Sequence, residues 1–126
     1  MAVTATSVLI CYQVYVDPVS FNVTLFGIFT SLRATRFPTP AREYSVYALL
    51  QGEPGERGDL RLQCIDEATG AVLADHVQRV EMGSLGKRHV HAPLSEFRFP
   101  HLGAYRLTLT FNEEEIASQT VDVLGN

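Results

Sequence analysis

The chain has no tryptophan and only two cysteines, Cys11 and Cys64. Both cysteines sit in apolar, strand-like runs, where they read as buried free thiols rather than as a disulfide. Positive charge is scarce as well: 10 Lys and Arg stand against 14 Asp and Glu, a formal net charge of −4. A protein that neutralises phosphate carries a basic face, and none is visible, so no nucleic-acid partner is expected. The same shortage argues against an anionic membrane surface. No Lys or Arg stands in Met1 to Ser7, ahead of the apolar stretch that begins at Val8, and Gln13 and Asp17 interrupt that stretch. A secretory signal is therefore not read there. No run approaches the ~20 apolar residues of a membrane-spanning helix. Together these absences predict a cytoplasmic protein. Helix signals are weak too, the best being the short Glu113 to Ala117 between two strand-like runs.

What is present suits a single β domain over residues 1–126. Of the 126 residues 46% are hydrophobic and 19% charged, enough to build a core and too apolar for disorder. Phe and Tyr are plentiful, and Val and Thr recur, a composition that fits pleated surfaces. Strand-like runs alternate with turn punctuation, as in sandwiches and barrels. Ser7 to Val16 ends at the turn Asp17-Pro18-Val19-Ser20 and pairs as a hairpin with Phe21 to Phe29, where Gly27 marks a bulge or a close backbone approach. Phe37-Pro38-Thr39-Pro40 cannot sit in a central strand and reads as a crossover between sheets. Tyr44 to Leu50 is a compact strand, followed by the loop from Gly52 to Gly58.

Asp59 to Asp66 alternates, with Leu60, Leu62 and Cys64 inward, and Glu67 to Gly70 turns it into Val72 to Val80. Met82 to Lys87 reads as a loop, and His89 to Phe99 as an extended segment bent near Pro93. Tyr105 to Phe111 is the best period-2 run, and Asn112 to Glu114 turns it into Ile116 to Val123. The count is eight or nine strands, with no internal repeat.

Pro100-His101-Leu102-Gly103-Ala104-Tyr105, at a strand start, resembles the tyrosine corner of immunoglobulin-like Greek-key sandwiches, where a Tyr hydroxyl bonds upstream backbone. Gly103 and Tyr105 are thus structural residues. Two hallmarks of antibody domains are absent, the buried Trp and a Cys pair across the sheets. The chain as a whole resembles an uncharacterised bacterial family of small standalone β-sandwich proteins, a domain of unknown function. The likeness is carried by Val14-Tyr15-Val16-Asp17 with Asn22 to Gly27, by Leu60 to Glu67, and by Phe99 to Leu107 with Ile116-Ala117-Ser118. It implies an all-β, antiparallel immunoglobulin-like sandwich and carries no activity with it.

One pattern suggests a metal. His89, His91 and Glu96, between Gly83 and Gly103, have spacing similar to the first metal motif of cupins, and His89 and His91 share one face of a strand. Against it, no His follows His101 to complete the ligand set, only a hairpin remains downstream, and Phe97 to Pro100 departs from the cupin continuation. No metal or cofactor is expected, and His89 and His91 read as the polar face of a strand whose Val90 and Ala92 point inward. No Gly-x-Ser-x-Gly elbow or phosphate loop is present. Asp66-Glu67 and Glu113 to Glu115 read as solvated turns, and Asn22-Val23-Thr24 as a chance sequon. Two strands are apolar on both faces: Tyr47 and Leu49 oppose Val46, Ala48 and Leu50, while Phe26 and Ile28 oppose Leu25 and Phe29. The outer set must be covered, by the Phe37 to Pro40 segment or by another chain. The expectation is therefore a non-catalytic protein-interaction or accessory module, self-associating or bound to a protein partner. A small-ligand sensor with a pocket between sheets is the alternative, and a metal-dependent enzyme the third.

Overall fold

Where apolar and polar residues alternate, one face of the strand is buried, and in the computed structural model this pattern organises residues 3–125. Met1 and Ala2, which open the segment read as lacking a signal, lie outside the described residues. The strands are β1 (Thr4–Cys11), β2 (Gln13–Val16), β3 (Val23–Phe26), β4 (Ser31–Ala34), β5 (Arg42–Gln51), β6 (Arg57–Asp66), β7 (Val72–Glu81), β8 (Lys87–Phe97), β9 (Gly103–Phe111) and β10 (Glu114–Gly125). They form a three-stranded sheet in the order β1-β5-β8, a five-stranded sheet in the order β4-β10-β9-β6-β7, and the separate hairpin β2-β3. All pairings are antiparallel except β4 with β10. No helix forms among the described residues, so none crosses a membrane.

The chain passes from one large sheet to the other from β1 through the β2-β3 hairpin to β4, and again between β4 and β5, between β5 and β6, between β7 and β8, and between β8 and β9. This is the strand plan of an immunoglobulin-like sandwich with a hairpin inserted after its first strand. The inner rows close the core: Val46, Ala48 and Leu50 of β5 and Val90, Ala92 and Leu94 of β8 face Leu60, Leu62 and Cys64 of β6 and Tyr105, Leu107 and Leu109 of β9, all buried. Cys11 and Cys64 are buried free thiols, as expected.

Among the described residues ten strands stand where eight or nine were expected, for two local reasons. The run from Ser7 to Val16 breaks at Tyr12, whose ring leaves the ladder to pack on Phe29 and Tyr44 at 5.4 and 5.9 Å. The short β4 was missed because only Leu32 and Ala34 of its residues are partly buried, too little alternation to register. Three further expectations shift. The second run is strand only over β3, and Phe29 returns as an isolated bridge to Ile10. The loop expected from Met82 is present, with the Met82 side chain buried in the core, but Lys87 already opens β8. Pro93 lies in register opposite Ser45, while the bulge falls at Ser95 and Glu96, where Glu96 takes φ 50°. Glu113 to Ala117 forms no helix: Asn112 and Glu113, at φ 49° and 71°, make the two-residue turn of the β9-β10 hairpin.

Candidate interaction surface

The β2-β3 hairpin stands out because its apolar residues are not used by the core. Its turn is tied down by Asp17. One carboxylate oxygen accepts the Val19 and Ser20 amides at 2.8 and 3.0 Å, and the Asp17 carbonyl accepts the Phe21 amide at 2.9 Å. The Ser20 and Val19 amides hold that carboxyl below the usual range. The closure sets Phe21 at φ 60°, a left-handed position that bulky side chains rarely take. At the other end Gly27, at φ 68°, lies against Tyr12, and a Cβ there would fall on the Tyr12 ring. The Arg42 guanidinium lies over the same ring, 3.9 Å from its centroid.

Paired rows divide the hairpin's faces. Val14 opposite Leu25, with Val23, is half-buried; Phe26 opposite Gln13, and Tyr15 opposite Thr24, form the outer face. Val19 is 87% exposed, Phe21 71%, Ile28 51% and Phe26 50%. From Tyr12 to Thr30 the only charged residue is Asp17, already occupied by its own turn. Phe26 and Ile28 are thus exposed apolar side chains on a braced support.

The other interface candidates are placed differently. Tyr47 and Leu49 are half-buried on the outer face of β5, between Leu9 of β1 and His91 and His89 of β8. The proline segment does not cover them. Thr39 is tied instead to Phe99 by two hydrogen bonds, amide to carbonyl at 3.0 Å and hydroxyl from amide at 3.0 Å. The Tyr47 hydroxyl pairs with His89 Nδ1. His91 lies across from Tyr47, and Glu96 is exposed in its bulge. Among the described residues no three His, Cys, Asp or Glu gather at metal-binding range.

Tyr105 is fully buried, its hydroxyl donating to the His101 carbonyl and accepting the His101 amide at 3.2 Å. Gly103 opens β9 at φ 135°. This corner holds a pair the sequence reading missed. His101 Nε2 lies 2.6 Å from a carboxylate oxygen of buried Asp66, and Nδ1 lies 2.7 Å from the Leu102 carbonyl. Both partners are acceptors, so both ring nitrogens donate and the ring is an imidazolium. The Leu102 carbonyl and then Asp66 raise the His101 pKa. Burial opposes ionisation of Asp66, but His101, the Ala68 amide and Thr69 outweigh it and lower its pKa. A signal existed: Asp66 continues the inward row Leu60, Leu62, Cys64 with an acid, which then needs a partner.

Between the sheets, beside β7 and β8, the free space is about 10 Å³, lined by Val46, Leu62, His76 and Val90 among others. A larger depression of about 660 Å³ lies open on the outer face of the five-stranded sheet, lined by Asp59, Arg61, Gln63, Val77, Thr110, Asn112 and Glu113.

A family model matches residues 6–124. The chain belongs to the family of unknown function DUF6941. No curated protein matches it in sequence. Solved structures similar to this DUF6941 domain include a β-glucosidase from Listeria innocua in complex with glucose, with TM-score 0.55, 10% identity, 98% of this chain and 16% of that one. An alkylpurine DNA glycosylase from Pseudomonas fluorescens bound to DNA containing an abasic site analogue has TM-score 0.53 and 11% identity, covering 96% of this chain and 30% of that one. An immunoglobulin-like protein from Pseudomonas aeruginosa has TM-score 0.48 and 15% identity over 98% and 97% of the two chains. The chain thus spans under a third of the two enzymes it resembles, and the first two likenesses concern the fold alone.

Proposed function

We propose that this chain is a non-catalytic protein-interaction domain that docks the β2-β3 hairpin against an apolar surface of a partner protein in the bacterial cytoplasm. The observation carrying this reading is the exposure of Val19, Phe21, Phe26 and Ile28 on a hairpin braced at both ends. Exposed apolar patches mark interaction sites, and aromatic anchors dominate binding energy. Bracing matters because an ordered element loses little entropy on docking. The chemistry elsewhere favours a binding role. Burial pushes the Cys64 thiol up to about 12, which leaves no thiolate to act as a nucleophile. His89 is engaged by Tyr47. Two buried thiols suit a reducing compartment.

Affinity capture from the native host tests the reading. The unmodified chain should retain a protein in stoichiometric amount, and Phe21→Asp with Phe26→Asp should lose it while keeping the far-UV spectrum. Retention by the double variant would refute the hairpin as the docking element.

A further inference from the structure

An open sandwich must protect its strand edges, and three of the four edges here carry devices that do so. β1 is interrupted by a register shift between Ala5 and Val8 and is partly covered where Ile10 pairs with Phe29. β4 is only four residues long. β8 carries Pro93, the bulge at Ser95 and Glu96, exposed Lys87 and Arg88, and a cap in which the Gln78 side chain donates to the His91 carbonyl at 3.4 Å. The edge at β7 is the least protected: Ala74 to Glu81 stay in unbroken register with β6 and contain no proline or lysine, and its cap sits at the end, where the Arg88 side chain donates to the Glu81 carbonyl at 3.3 Å.

That edge is also complementary to itself. If a second copy of β7 lies antiparallel against it with a two-fold axis at Val77, Asp75 falls opposite Arg79 of the second copy, and Arg79 opposite its Asp75. Val77, 55% exposed, meets its own equivalent. Directly opposed residues come within about 5.5 Å, so both charge pairs are in reach. Neighbouring registers lose the match: an axis at Gln78 sets Asp75 against Glu81, and one at His76 sets Asp75 against Val77. Within one chain Asp75 holds Arg61 at 3.0 Å and Arg79 holds Asp59 at 3.2 Å, so the new contacts join an existing charge row. We infer that the chain self-associates edge to edge through β7, two five-stranded sheets becoming one continuous sheet of alternating charge. The two-fold symmetric, self-complementary patch is the form most homodimers take. This inference is independent of the hairpin.

Sedimentation velocity on the full chain at about 50 μM should show a dimer, a concentration at which association of micromolar strength is visible. Val77→Lys places two ammonium groups at the axis, and Arg79→Glu sets like charges opposite each other; each should weaken association about tenfold or more. Asp75→Arg combined with Arg79→Glu restores the opposed pairs across the axis while reversing both intrachain partners, and should recover the dimer. Phe21→Asp with Phe26→Asp should leave the dimer intact. A monomeric unmodified chain overturns the inference, as does a dimer that survives Val77→Lys, fails to return in the double reversal, or is lost with the hairpin variant. Val77 is on an exposed face, so the Val77→Lys chain remains folded and informative even where the charge reversals lower stability.

Discussion

The tyrosine corner and the β2-β3 hairpin lie at the same pole of the sandwich and are built from the same kinds of residue, yet they do opposite things with them. Each has an aspartate that caps the amides of its own turn: Asp66 accepts Ala68, and Asp17 accepts Val19 and Ser20. At the corner the aspartate is buried and answered by His101, and the aromatic rings run inward, Tyr105 on Phe99 at 4.9 Å and Phe99 on Tyr44 at 5.8 Å. On the hairpin the aspartate is only partly buried and is answered by the amides of its own turn, while the rings of Phe21 and Phe26 face solvent. Turn chemistry alone therefore does not separate a stabilising region from a presenting one. The direction of the aromatic side chains does.

The largest effect should come from the corner's centre. Phe99→Ala empties a fully buried site among Tyr44, Phe97 and Tyr105 and should cost about 3–5 kcal/mol in denaturant unfolding. The matching change Phe21→Ala on the hairpin should stay within about 0.5 kcal/mol, as for ordinary surface positions. Equal losses at both sites would erase the contrast. Next comes the hairpin's root: Gly27→Ala strains a left-handed backbone and presses on Tyr12, and should cost roughly 1–3 kcal/mol. Amide exchange should then rise first at Tyr12 and Phe29. Tyr105→Phe should cost about 0.5–1.5 kcal/mol, the worth of the corner's hydrogen bonding. A midpoint unchanged by that substitution would show that the corner is held by packing alone.

The corner should also titrate, while the hairpin should not. The His101 pKa is raised, so its contribution is complete below the unfolded value of about 6.5 and fades as pH rises through the higher folded value. Asp66 is lowered, so its contribution is complete above about 3.9 and fades as pH falls through the lower folded value. Cys64 and the Tyr105 hydroxyl also face Asp66, and both are held neutral by burial across this range. Stability measured against pH should decline on the alkaline side of about 6.5, and His101→Gln should flatten that decline. An alkaline limb unchanged in His101→Gln would contradict the imidazolium assignment.

The sandwich was legible from period-2 alternation at β6 and β9, because burial of one face leaves a sequence trace, and the corner from Pro100, Gly103 and Tyr105. The hairpin's exposure was legible only in part. Phe26 and Ile28 stood out as apolar residues without a place, but Phe21 was read as part of the following strand. The turn at Asp17 to Ser20 was legible, while its closure onto the Phe21 amide, which sets Phe21 at φ 60°, was not. Covering Tyr47 with the proline segment failed for a similar reason, since Thr39's bond to Phe99 is set by packing at long range. The His101–Asp66 pair escaped because its residues lie far apart in the chain and only the pairing of β6 with β9 brings them together.

The central claim, that the hairpin meets a partner protein, is tested most directly by photo-crosslinking inside the native host. Phe21→p-benzoylphenylalanine places the probe at the hairpin tip. Leu85→p-benzoylphenylalanine, in the loop between β7 and β8 at the opposite pole, is a control at least as exposed at 86%. The account predicts one discrete adduct with another protein from position 21 and none in common from position 85. The same adducts from both positions, or no adduct from position 21, would contradict it.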